Sequence, residues 1–305
     1  MPKNLLAAWI KLFLLAFIWG SSFILIKKGL IGLSPQEVGS LRIVSASLLL
    51  LPSALMRLKK VPKGRMVYLM ASGFLGSLIP AFLFAVAQTQ LESAITGVLN
   101  GLTPILTILM ALFIFRQKQT SKVYLGIAIG FVGTVILVTS GEGSFSGINS
   151  YALLVILGTF CYASNLNLIK AKLDKIHPIT VTSISLMLVG PIAIVYLLGF
   201  TNFIKNIHYV EAAPLSTLYI CILGILGTAI ALIIFNKILQ MTDPLFASSV
   251  TYIIPVVAII WGIIDGEKIH LIQYMGMAAI GLGVYIANTN RASFLQEEGE
   301  QPVNE

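Results

Sequence analysis

The chain has 305 residues; 57% are apolar and only 10% are charged, against about 25% charged in an average soluble domain. That deficit excludes an ordinary soluble enzyme, a disordered protein and a coiled coil, and it points to a chain whose solvent is largely lipid. The net charge is +8, but the Lys and Arg are too scattered to form one basic face, so no nucleic-acid partner is expected.

A helix needs about 20 apolar residues to cross a bilayer. Residues 12–26, bounded by Lys11 and Lys27, give the first helix. No small-residue cleavage site precedes Lys27–Lys28, so this run reads as an uncleaved span rather than a signal peptide. Residues 38–56, interrupted by Arg42, give the second. Eight runs free of Asp, Glu, Lys and Arg follow: 66–91, 93–115, 123–141, 143–169, 176–204, 212–236, 244–264 and 269–290. Without period-2 alternation these are helices, not barrel strands. The expectation is an all-α integral membrane protein with ten transmembrane helices, closed by an acidic, disordered tail over 291–305. Cys161 and Cys221 lie inside apolar runs and read as small buried hydrophobes. Placing the N-terminus in the cytoplasm puts 15 Lys and Arg inside and 4 outside, with Arg42 left within a helix. Both termini are therefore predicted to be cytoplasmic.

The chain repeats itself. An offset of 143 carries Phe17 onto Phe160, Trp19 onto Tyr162, Ser21 onto Ser164, Lys27 onto Lys170 and Pro35 onto Pro178. An offset of 151 carries Gly73 and Gly76 onto Gly224 and Gly227, Glu92 onto Asp243 and Pro104 onto Pro255. An offset of 150 carries Gly126 and Gly133 onto Gly276 and Gly283. The repeats are residues 1–145 and 146–290, five helices each. Five is odd, so the second copy is predicted to be inverted in the membrane, which is a signature of secondary transporters.

Several segments together resemble the EamA branch of the drug/metabolite transporter superfamily. They are residues 17–23 (Phe-Ile-Trp-Gly-Ser-Ser-Phe), 40–46 (Ser-Leu-Arg-Ile-Val-Ser-Ala), 248–256 (Ser-Ser-Val-Thr-Tyr-Ile-Ile-Pro-Val), Gly266–Glu267 and 276–283 (Gly-Met-Ala-Ala-Ile-Gly-Leu-Gly). The resemblance spans about residues 8–290. It implies a ten-helix carrier of the bacterial inner membrane with a central cavity between its halves, moving amino acids, other metabolites, nucleotide sugars or drugs, often outward. The fourth helix departs from the pattern by ending in Phe115–Arg116, where the family often has Glu.

Polar residues inside the apolar runs are the candidate substrate-lining set: Trp19, Ser21, Ser22, Thr96, Asn100, Thr103, Tyr162, Asn165, Ser248, Thr251 and Tyr252. Thr96, Asn100, Thr103 and Thr107 share one helical face. Trp19 and Tyr162 fall at mid-depth, where an indole or phenol needs a partner or a substrate to stack on. Pro104 and Pro255 are expected to kink helices four and nine and free the carbonyls of Asn100 and Thr251. Arg42 is expected in a structural or gating ion pair with Glu37 or Glu92, with direct anion binding as the alternative. Trp261 is read as an interfacial anchor. His177, His208 and His270 are isolated, no metal spacing or Gly-rich phosphate loop is present, and no catalytic residue, metal or other cofactor is expected.

The expected function is secondary transport, as exporter or facilitator, of a small polar or amphipathic metabolite such as an amino acid, by alternating access. The alternatives are a permease for a nucleotide- or lipid-linked sugar and, from another class, a structural membrane subunit or an intramembrane enzyme. The expected partners are the small-molecule substrate and the lipid bilayer. The chain is read as a monomer, with a dimer as the alternative. The 12 carboxylates lie at or beyond the run ends, so transport is expected to be uncoupled or coupled by a peripheral acid such as Glu92 or Glu267.

Overall fold

The computed structural model describes residues 5–115, 121–141, 144–145, 149–241 and 250–299. Within them, eight helices are long and apolar enough to cross a membrane: helix one (Trp9–Gly29), two (Pro35–Lys60), three (Met66–Ala87), four (Ser93–Met110), five (Ser121–Thr139), six (Ser150–Leu173), seven (Pro178–Gly199) and eight (Ala213–Phe235). Two more helices follow, nine (Val250–Ile264) and ten (Leu271–Gly299), whose apolar stretches, Ile253–Ile264 and Leu271–Ala287, are shorter than the eight spans. Ten full spans were expected, but helix nine is described only from Val250 and the apolar part of helix ten ends at Ala287. Apart from an antiparallel pair of two-residue strands, Ser140–Gly141 and Ser144–Phe145, the described fold is helical. Apolar side chains such as Phe131, Val195 and Leu282 face outward, as lipid contact demands.

Local chemistry sets the helix ends. Ser34 and Glu37 form a capping box ahead of helix two, with Pro35 in its first turn. Asn149 caps helix six through the Tyr151 amide, and Pro178 opens helix seven. Helix nine ends differently. The Gly266 amide bonds to the Ile263 carbonyl and the Glu267 amide to the Gly262 carbonyl, the paired closure of a Schellman motif. Gly266 has φ +76, a left-handed conformation that favours glycine. This turn reverses the chain and aims Glu267 back at helix four.

Helix ten continues to Gly299, so residues 291–299 are helical where a disordered tail was expected. Ala, Leu, Gln, Glu and Arg dominate this stretch and are good helix formers, so they prolong a helix already nucleated in the membrane. Residues 300–305, like Lys3, Arg116, Lys118, Asp243 and Pro244, lie outside the described residues.

Three helices carry a π-helical turn: Phe74–Leu78 in helix three, Ile169–Leu173 in helix six and Leu223–Ile230 in helix eight. Helix four breaks at Gly101–Leu102 between Ser93–Asn100 and Thr103–Phe115. Pro104 therefore sits in the first turn of a new helical segment, where its missing N–H removes no bond, rather than inside one continuous kinked helix. Pro255 lies within helix nine.

Glycine lets helices five and ten meet backbone to backbone. A Cβ on Gly126 would stand 2.6 Å from the Gly283 carbonyl oxygen, and one on Gly133 2.6 Å from that of Gly276. Gly281, by contrast, lies on the outward face, where a Cβ meets nothing within 4 Å. Gly126→Ala and Gly133→Ala are therefore expected to cost about 1–3 kcal/mol each by overpacking, whereas Gly281→Ala should be neutral or stabilise by up to about 1 kcal/mol through helix propensity. Melting temperatures of the detergent-solubilised variants check this ordering.

Candidate functional site

One end of the bundle is held by charge. Lys27, near the end of helix one, places its Nζ 3.1 Å from Glu92, 2.9 Å from Asp265 and 2.9 Å from Glu267. Lys28 pairs with Asp265 as well. Glu267 has no side-chain exposure. It accepts from the Ser93 amide at 2.9 Å, the Ser93 hydroxyl at 2.5 Å and the Ala94 amide at 3.0 Å. A carboxylate from the turn after helix nine thus caps the N-terminus of helix four, where the helix dipole and unpaired amides favour an anion.

Burial, the largest influence, pushes the Glu267 carboxyl up, but the Ser93, Ala94 and Lys27 hydrogen bonds outweigh it and hold the group below the ordinary glutamate value. Asp265 is also lowered, its partial burial being outweighed by Lys28 and Lys27. Sequence reading counted Lys27 only as a flanking charge. The signal is available in the sequence, since with a cytoplasmic N-terminus Lys27, Glu92 and Glu267 follow the first, third and ninth runs and so fall on one face.

Further inside, a second cluster forms around the π-helical turn of helix eight. The Trp19 indole donates to the Gly227 carbonyl at 3.0 Å and packs 5.4 Å from the Phe235 ring. Ser22 faces the same turn: a Cβ on Gly227 would lie 3.0 Å from its hydroxyl. Arg42 Nε donates to the Thr228 hydroxyl at 3.0 Å, and the guanidinium lies within electrostatic reach of the Tyr162 phenol. Tyr162 stacks on Phe84 with ring centroids 5.8 Å apart. A π turn leaves carbonyls without their usual helical partners and often marks a functional position; here the indole of another helix takes one of them. Thr228 and Phe84 carry no motif in the sequence, and Gly227 stands out there only as a repeat glycine.

The expected ion pair of Arg42 is not formed. Glu37 is 1% exposed; it bonds back to Ser34 and accepts from the Asn206 amide at 2.9 and 3.1 Å. Glu92 belongs to Lys27. Capping and a nearer cation took both acids. An arginine at the centre of a membrane helix costs about 3 kcal/mol on insertion scales, so it must face protein or water.

The other candidates separate by what their polar atoms do. Thr96 is fully buried and its hydroxyl bonds the Glu92 carbonyl at 3.0 Å. Thr103 takes the Asn100 carbonyl at 2.7 Å and Thr107 the Thr103 carbonyl at 2.8 Å. The carbonyl that Pro104 was expected to free is thereby satisfied within its own helix. Ser21 donates to the Phe17 carbonyl and accepts from the Trp261 indole at 2.8 Å, so Trp261 ties helix nine to helix one. Asn100 and Asn165 each keep a buried Oδ1 with no protein partner. Pro255 faces the helix-four break, with its Cγ 3.2 Å from a Cβ built on Gly101. Thr251 lies in helix nine; Ser248 and the Tyr252 side chain lie outside the described residues. Gln88, not singled out in the sequence, donates to the Phe23 carbonyl at 3.1 Å. Among the described residues no group of three His, Cys, Asp or Glu could hold a metal ion.

Glu267→Ala removes the cap of helix four and one Lys27 partner, and is expected to cost about 1–2 kcal/mol. Glu92→Ala removes one half-exposed contact and should cost less than half as much. A carboxylate whose pKa is lowered in the cluster stabilises it above the ordinary carboxylate value of about 4 and loses that contribution as pH falls through the lowered value. The melting-temperature gap between wild type and Glu267→Ala should be constant near neutrality and close in acid.

The EamA-like transporter family model matches this chain twice, over residues 6–139 and 149–289. The uncharacterized inner membrane transporter YedA of Escherichia coli (strain K12) is 26% identical over 310 residues, covering 99% of this chain and 97% of its own. An uncharacterized transporter of Archaeoglobus fulgidus is 28% identical, covering 93% and 99%. The uncharacterized transporter YyaM of Bacillus subtilis (strain 168) is 26% identical, covering 64% and 65%. A solved crystal structure superposes with a TM-score of 0.63 at 16% identity, covering 97% of this chain and 99% of its own, a likeness of fold. Matched by the family model in both halves, and carrying the membrane-spanning helices such a protein needs, this chain is a multi-pass membrane protein that belongs to the EamA-like transporter family.

Proposed function

We propose that the chain is a secondary carrier of a small polar or amphipathic metabolite, working by alternating access between two inverted five-helix repeats in a bacterial inner membrane, with both termini cytoplasmic. The observation that carries this reading is the Lys27 cluster. It ties helices one and four of the first repeat to the turn after helix nine of the second. Ion pairs between repeats can part without unpacking either repeat, which is what a gate requires.

Reciprocal contacts support the inverted symmetry. Gly73 abuts the Ser185 carbonyl and Gly224 abuts the Arg42 carbonyl, with a built Cβ at 2.6 and 2.5 Å. The offset of 151 carries the first glycine onto the second, and the offset of 143 carries Arg42 onto Ser185. Gly76 meets Asn165 and Gly227 meets Ser22, partners under the same offsets. A two-fold axis in the membrane plane demands such exchange. The orientation is supported at the far end of the bundle, where Arg57, Lys60, Lys175 and His177 surround a cavity of about 250 Å³ and helix two separates this basic end from Lys27.

The offset that relates helices four and nine puts Arg116 where Glu267 stands. The substrate path runs past Trp19, Ser22, Asn100, Tyr162 and Asn165, with Ser21, Thr103, Pro104, Thr251 and Pro255 shaping the breaks beside it.

Counterflow of labelled metabolites in proteoliposomes tests the reading. At least one solute of a broad panel is expected to cross faster than through empty vesicles, and failure of every solute would remove the carrier reading. That solute should equilibrate without concentrating, with or without an imposed pH gradient. Proton-driven accumulation that survives Glu92→Gln combined with Glu267→Gln would contradict both the uncoupled and the peripheral-acid mechanism.

A further inference from the structure

We propose that Arg42 binds a carboxylate group of the transported molecule, which makes the substrate an organic monocarboxylate with an aromatic or other apolar body. This rests on the carrier reading above. Arg42 lies seven residues into helix two, about 10 Å from its start at 1.5 Å per residue, well inside the bundle. Among the described residues no carboxylate lies within 4.0 Å of it. The two acids nearest in sequence register are held elsewhere, Glu37 by Ser34 and Asn206, Glu92 by Lys27.

The two polar side chains shown beside it are neutral: Nε–H is used on the Thr228 hydroxyl, and the Tyr162 phenol lies next to the guanidinium. A guanidinium carries five N–H donors in a planar fork, and hydroxyls neutralise none of its charge. Arg42 is half-buried within the span, and a cation there without a counter-ion is costly unless an anion arrives. The Thr228 bond uses Nε–H and the Tyr162 phenol draws on a further N–H, which leaves the remaining N–H groups of the fork for a carboxylate.

The surroundings select the rest of the ligand. Tyr162 and Phe84 form a stacked pair next to the guanidinium, and Trp19 closes the same π-helical turn. Such a wall suits a flat or apolar body. One turn beyond Tyr162, the buried Asn165 Oδ1 has no protein donor and can accept from a hydroxyl, amide or ammonium of the ligand. A sugar phosphate or diphosphate carries more charge than one guanidinium balances, so a single carboxylate is the better match.

The full-length chain in proteoliposomes is given the same metabolite panel, in which each acid is paired with its primary amide. The solutes that cross are expected to be carboxylates, with their amides crossing at least about tenfold more slowly. Arg42→Gln should abolish acid transport, and Arg42→Lys, which keeps the charge but loses the fork, should raise KM at least about tenfold with kcat retained. Without ligand, the melting temperature of Arg42→Gln should match or exceed wild type, since an uncompensated charge has been removed, while the stabilisation by the transported acid is lost. Should Arg42→Gln fail to fold, as a structural role would predict, or should amides cross as well as their acids, the assignment is wrong. Acid transport by Arg42→Lys with unchanged KM would also overturn it. If no solute crosses at all, it is the carrier reading that has failed.

Discussion

Hydrocarbon offers no hydrogen bond to a bare carbonyl, amide or charge, and this constraint organises the interior of the protein. At several points where the helices break, widen or begin, a polar group answers the exposed backbone. The π turn of helix eight offers the Gly227 carbonyl, and Trp19 takes it from helix one. The break in helix four exposes the Asn100 carbonyl, and Thr103 covers it. The N-terminus of helix four presents amides that Glu267 closes from the turn after helix nine. Many of these answers come from far along the chain, so satisfying the backbone also sews the two halves together.

The same constraint separates permanent joints from separable ones. Helices five and ten meet through glycine backbones, a contact that cannot open without exposing two helix surfaces. The Lys27 cluster is different. Its lysine is 31% exposed, so water can reach it and solvate the charges as they part. Ionic closure at the rim, with glycine packing away from it, is the arrangement that the alternating access proposed above requires. Gly266 makes this join possible: its positive φ turns the chain back so that one acid can serve both as helix cap and as counter-ion.

The polar residues inside the bundle fall into two groups on the same physical ground. Thr96, Thr103 and Thr107 have β-branched hydroxyls that reach their own helix backbone, and a short side chain satisfied in this way has little left for a ligand. Asn100, Asn165 and Arg42 carry more donors and acceptors than their neighbours can use. That unused capacity supports the substrate path proposed above.

Composition and run length alone determined that this is a helical membrane protein, because lipid tolerates few other solutions for a chain this apolar. The motifs around Trp19, Arg42, Pro255 and Gly266–Glu267 were enough to identify the family, because their order along the chain is specific even where each is loose. Positions Trp19, Tyr162 and Arg42 stood out as polar groups in apolar runs. Their partners did not. Sequence placed Arg42 with Glu37 or Glu92, since opposite charges near one face attract; only the fold showed that Ser34, Asn206 and Lys27 lie closer to those acids. It likewise made Lys27 a flanking charge and Trp261 an anchor, whereas packing of helices one, four and nine joined Lys27 to three carboxylates and Trp261 to Ser21. Periodicity reports which face of a helix is polar. Which groups meet across helices is decided by the crossing of those helices and by where glycine lets them approach, and that information is three-dimensional.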